Sequence, residues 1–152
     1  MGRGLLSGLW DVEAAIYTGP AAQEERCRLG LQHTEAVLRA ARAEAERNGW
    51  DVSIAVVDRM GMPLGLVTLD GSPPDSGRCA IERAQQAAAA EPCGLAGDSA
   101  PAADARQQPL RADAMPLYVN GRCIGAIGVH GAQRSEAAQV AYTGALAGGQ
   151  GG

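Results

Sequence analysis

A histidine set between glycines at the end of an apolar run is the most chemically suggestive placement in this chain. His130 follows Gly128 and Val129 and precedes Gly131. Glycines at such a place let a ligand or another backbone approach closely. The imidazole can serve there as a general acid/base near neutral pH or as an iron ligand. Two acidic groups could orient it. Asp58 ends an apolar run and Asp70 opens an Asp-Gly turn, although both side chains equally suit turn formation. His33, beside Leu31 and Thr34, reads as a surface or boundary histidine. No Gly-x-Ser-x-Gly elbow occurs, so Ser-His-Asp catalysis is unsupported. No Gly-x-Gly-x-x-Gly joins a strand to a helix, which argues against a dinucleotide site.

Composition narrows the chemistry further. All 13 basic residues are arginine. Without lysine there is no internal Schiff base, so pyridoxal-phosphate and class-I-aldolase chemistry are excluded. The P-loop and the protein-kinase site also need lysine and are excluded with them. A formal net charge of -4 and the lack of a basic run argue against nucleic acid or an anionic membrane as partner. No apolar stretch approaches the ~18 residues of a membrane span. Residues 1–30 read as an N-terminal arm without a signal-peptide pattern, and the expected compartment is the cytoplasm. Cys27, Cys79, Cys93 and Cys123 are scattered, as reduced structural thiols are. They lack the close pairs of a zinc site, so no metal site is expected.

The elements that must carry these residues follow from periodicity. Leu31, Thr34, Leu38, Ala41 and Ala45, with Val37 beside them, mark one helix face, and Asn48-Gly49 ends that helix. Val52–Asp58 and Leu64–Leu69, joined through Gly61, read as a β-hairpin. Asp75 or Ser76 caps a second helix that stops before Pro92, with Cys79, Ala84, Ala87 and Ala88 inward and Ile81/Glu82 at the boundary. Its small residues require close approach of the neighbouring elements. Residues 92–112 read as a low-complexity, irregular loop with room for one short helical turn. Met115–Val119 and Cys123–Val129 flank Asn120-Gly121, a strong hairpin signal because both turn residues need positive φ. A last helix runs from the Ser135 cap to Leu146, and 148–152 form a flexible tail. Tyr118 and Tyr142 are core candidates. The expected fold is α+β, an antiparallel sheet of two hairpins flanked by helices.

Gly49–Asp58 (GWDVSIAVVD), Leu69–Pro73 (LDGSP) and Pro116–Gly131 (PLYVNGRCIGAIGVHG) resemble the GlcG/HbpS-like family over roughly residues 31–147. That family includes the haem-binding HbpS-type proteins and the C-terminal domain of PduO-type proteins. The resemblance implies a profilin-like fold, homo-oligomeric assembly and haem as a cofactor or substrate of some members. The chain departs from the family pattern at several places. His130 stands where the family usually has serine, and Asp113-Ala114-Met115 stand where it has Gly-Gly before Pro116. Arg83 matches a lysine, and Val67 and Thr68 replace arginine.

The resemblance implies a pocket in which Arg83 and Glu82 lie on the second helix, with Arg83 gripping a carboxylate or propionate bidentately. Asp113 is a candidate acid there, and Asp70, Met115, Tyr118, Gly128 and Gly131 line it. On this reading the protein binds a small ligand, haem or a related tetrapyrrole, with His130 or a nearby Met, Cys or Tyr on the iron. The alternative is a cofactor-free isomerase, cyclase or lyase of a biosynthetic pathway, with His130 as acid/base and Asp113 or Asp58 as its partner. A third reading is an oligomeric accessory protein without catalysis.

Overall fold

The computed structural model describes residues 29–90 and 113–149. The expected arm up to residue 28, Cys27, Cys93 and the 92–112 loop lie outside them. Seven elements occur among the described residues: α1 (Leu31–Asn48), β1 (Ser53–Asp58), β2 (Pro63–Thr68), α2 (Ser76–Ala90), β3 (Ala114–Val119), β4 (Arg122–His130) and α3 (Arg134–Gly149). The strands form one antiparallel sheet in the order β2-β1-β4-β3, so two hairpins join through their inner strands. This is the expected α+β arrangement.

Alternation along the central strands sorts the two faces. Ile54 and Val56 of β1 and Ile127 and Val129 of β4 join the larger apolar cluster with Val37, Ala41 and Ala45 of α1 and Val140 and Ala141 of α3. Each large side chain buried there is worth about 1.5–3 kcal/mol of transfer free energy. Val57 and Ala126 face the other way and pack with Ala84, Ala87 and Ala88 of α2. That second interface is built almost wholly of small residues. A Cβ on Gly128 would collide with the Ala80 carbonyl oxygen and the Ala84 amide nitrogen. The glycine therefore lets the α2 backbone lie directly on β4, which is how an alanine-rich helix fills its space.

The turns follow their residue chemistry. Gly49 caps α1 in the left-handed region at φ 71°. Asn120 and Gly121 both take positive φ, 52° and 79°, as a two-residue hairpin turn demands. Other expectations are corrected. Leu31 is 72% exposed, and α1 buries Glu44 instead. Ala80, not Cys79, faces inward on α2, because the helix turns its Ser76–Ala80–Ala84 row to the sheet. Tyr118 and Tyr142 are exposed at 43% and 54%, outside the core. α3 begins one residue before Ser135, and the Glu136 carboxylate accepts a bond from the Gln133 amide, 3.2 Å. Gln133 thus takes the capping position. α3 also continues through Gly148, past the expected helix end at Leu146 and into the expected tail. A Cβ on Gly148 would lie 2.8 Å from Val37 Cγ2, so glycine permits the helices to close there.

Candidate functional site

One end of the sheet gathers most of the polar chemistry. His130 is the last residue of β4 and pairs with Ser53 of β1, which in turn pairs with Thr68 of β2. Alternation puts His130 on the α2 face, since Val129 points into the opposite cluster. His130 is half-buried. Next to it Gly131 takes φ 126°, and a Cβ there would lie 2.8 Å from the Asp51 carbonyl oxygen. The close approach offered by Gly128 and Gly131 is used by α2 and by the chain entering β1.

Beside His130, three hydroxyls form a chain. The fully buried Ser53 hydroxyl donates to Thr68 Oγ1 at 3.0 Å and lies 2.6 Å from Ser76 Oγ at the start of α2. This cluster was missed in the sequence. Ser53 stands inside a β-branched run and Ser76 reads only as a cap, so nothing local links them.

The third component is an ion pair. Asp113 immediately precedes β3, and its carbonyl oxygen accepts from the Val129 amide at 2.8 Å. Its side chain, 6% exposed, is bound by Arg83 Nη1 of α2, itself 17% exposed. Only Oδ2 is engaged. Oδ1 is buried without a hydrogen-bond partner among the described residues. The Arg83 charge, expected to grip a ligand carboxylate, is therefore already balanced within the chain.

The remaining candidates separate from this corner. Asp58 sits at the opposite end of β1, where its Oδ1 accepts from the amides of Met60 (2.8 Å) and Met62 (3.0 Å) and shapes the β1–β2 turn. Five residues along the strand from Ser53, it is about 17 Å from the His130 row. Asp70 is exposed in the turn between β2 and α2, and Glu82 is exposed on α2. Met115 pairs with Ile127 and packs on the α1/α3 side of the sheet. Tyr118 lies exposed beside the β3–β4 turn. The structure thus brings together His130, Gly128, Gly131, Arg83 and Asp113, and leaves Asp58, Asp70, Glu82, Met115 and Tyr118 elsewhere. Among the described residues no group of three or more His, Cys, Asp or Glu is placed to hold a metal ion. No described helix is long and apolar enough to cross a membrane.

Residues 29–146 match the family described as haem degrading protein HbpS-like. The chain belongs to that family. Among solved structures, HbpS is 32% identical with a TM-score of 0.63, the match covering 78% of this chain and 89% of HbpS. A double mutant of Streptomyces reticuli HbpS is 28% identical with a TM-score of 0.60, covering 78% of this chain and 86% of that one. The PduOC:haem complex shares the fold at 20% identity and a TM-score of 0.63, covering 79% of this chain and 94% of that one. No curated protein matches the chain. The HbpS-like assignment agrees with the order of elements, from α1 through the hairpins to α3.

Proposed function

We propose that this HbpS-like protein binds a tetrapyrrole, haem foremost, at the corner where β4 ends against α2. The observation that carries the reading is the half-buried His130 imidazole, set on the same sheet end as the Arg83 guanidinium. Family membership and the fold shared with PduOC, solved as a haem complex, support it.

The residues present fit such a ligand in their donor chemistry. A histidine nitrogen is a common axial donor to haem iron, and His130 is half-buried at the end of β4. The interface between α2 and the sheet is closed by the backbone contact at Gly128. A flat macrocycle would be held outside it, by His130 and the flank where α2 carries Arg83. Bound haem supplies iron-centred redox chemistry; the chain contributes the imidazole and the hydrogen-bonding groups around it. The acid/base alternative draws no support from the carboxylates, since Asp113 is turned to Arg83 and Asp58 lies at the far strand end.

Haem titration tests the reading. A shifted Soret band that saturates at one haem per chain and weakens by about tenfold or more in His130→Ala is the expected result. No spectral change at stoichiometric haem sinks the proposal, and unchanged affinity in the variant removes His130 from the site.

A further inference from the structure

The two outer strands of the sheet are not alike. β3 carries Pro116 in its middle and a register shift between Leu117 and Tyr118, both of which spoil an edge for further pairing. β2 has proline only at its first position, Pro63, and no charged residue stands from Met60 to Leu69. Its outer side meets no strand among the described residues. The Leu69 amide donates to the Val52 carbonyl oxygen at 3.0 Å. Antiparallel alternation then turns the main-chain groups of Gly65 and Val67 to β1 and those of Leu64, Leu66 and Thr68 outward. Apolar side chains collect at the same edge. Eight large apolar or aromatic side chains are exposed among the described residues, and Met60, Met62, Leu64 and Leu66 are four of them, at 70%, 63%, 39% and 46%. A fifth, Leu31, lies seven residues before Leu38 on one face of α1, and Leu38 packs on Gly65. Single exposed leucines are ordinary, but this grouping along one strand edge marks an interaction surface.

The charges choose the occupant. Arg59 stands in the turn before β2 and Asp70 in the turn after it. Asp58, next to Arg59, has its carboxylate taken up by the amides of Met60 and Met62. The edge is thus an uncharged run with a cation at one end and an anion at the other. We propose that β2 pairs antiparallel with β2 of a second copy of the chain, about a twofold axis at Gly65, joining two four-stranded sheets into one. Leu64 then faces the partner's Leu66, the two exchanging main-chain hydrogen bonds, and each Arg59 lies toward the partner's Asp70. A parallel copy would instead set Arg59 against Arg59 and Asp70 against Asp70. The lack of charge in between matters for self-pairing, because a charged residue near the axis meets its own kind. β1 separates this edge from the strand that carries His130, so the pairing is independent of the tetrapyrrole reading.

Analytical ultracentrifugation of the full chain at about 50 µM, without haem, tests the pairing. The wild type should sediment as a dimer or a multiple of one. Leu66→Lys places two ammonium groups diagonally across the axis and should halve that mass, whereas Tyr118→Lys on β3 should leave it unchanged. Reversing one charge, by Arg59→Asp or Asp70→Arg, should weaken association by about tenfold, since each contact occurs twice. The double variant should recover it, because an antiparallel pair then exchanges both signs. Circular dichroism checks that each variant is folded, and the charge reversals decide if Leu66→Lys is not. A monomeric wild type overturns the inference and leaves the edge to some other strand. Full mass in folded Leu66→Lys, halved mass in Tyr118→Lys, or a double charge variant no better than the single ones overturns it equally.

Discussion

Replacing Arg83 by methionine isolates what the ion pair contributes to the fold. The variant keeps most of the side-chain bulk on α2 and leaves the Asp113 carboxylate, 6% exposed, without its side-chain donor among the described residues. Breaking one partner from a buried pair costs about 3–5 kcal/mol. Because Arg83 is 17% exposed, water reaches the rim of the site, and about 2–4 kcal/mol is the better expectation. Asp113→Asn keeps a neutral hydrogen bond to Arg83 and should cost about 1 kcal/mol. In that background Arg83→Met removes only a neutral bond, again about 1 kcal/mol. The double variant should then lose about 2 kcal/mol where additivity requires about 3–5, a coupling of about 1–3 kcal/mol. Equilibrium urea unfolding resolves this, since with a slope of about 2 kcal/mol/M the Arg83→Met midpoint falls by about 1–2 M. A loss below about 0.5 kcal/mol, or strict additivity of the two substitutions, would refute the claim that this is a desolvated pair.

Two further substitutions probe the frame around the corner. Gly128→Ala forces a methyl against the α2 backbone, with Ala84 Cα only 3.1 Å from the new atom. It should cost about 3 kcal/mol and lower Tm by about 10 °C, and an unchanged melting curve contradicts the close approach of helix and strand. Glu44→Ala removes the acceptor that ties Gln139 of α3 to α1. A loss of about 2 kcal/mol in urea unfolding is expected, with Glu44→Met less damaging because it refills the volume; equal stability of wild type and Glu44→Ala argues that the link is solvated.

Much of the frame was legible because its signals are local. Asn120-Gly121 demands positive φ at two adjacent positions, and Gly49 ends α1 for the same reason. The alternation of Val52–Asp58 and Cys123–Val129 named the two central strands, and the alanine content of α2 called for the close neighbour that Gly128 provides. The site was legible at single residues and opaque as a set. His130 was marked by its glycines, yet those glycines serve backbone packing. Arg83 and Asp113 are 30 residues apart, and no periodicity relates a helix flank to the residue before a strand. The Ser53–Thr68–Ser76 chain spans two strands and a helix start, so only the sheet register reveals it. Exposure of Leu31, Tyr118 and Tyr142 was misjudged because apolar type alone does not place a side chain inward at an element's end or edge.

The absence of lysine now bears on the corner directly. At the position where the resemblance expects a lysine, an ammonium would offer a compact charge that can lose its proton when buried. Arg83 offers a permanent charge and a planar set of donors, and Asp113 takes up one donor while cancelling the charge. What remains is a planar set of donors whose charge is balanced within the chain. The two side chains unusual for the pattern thus stand at the same corner, His130 at the end of β4 and Asp113 engaging the α2 arginine just before β3.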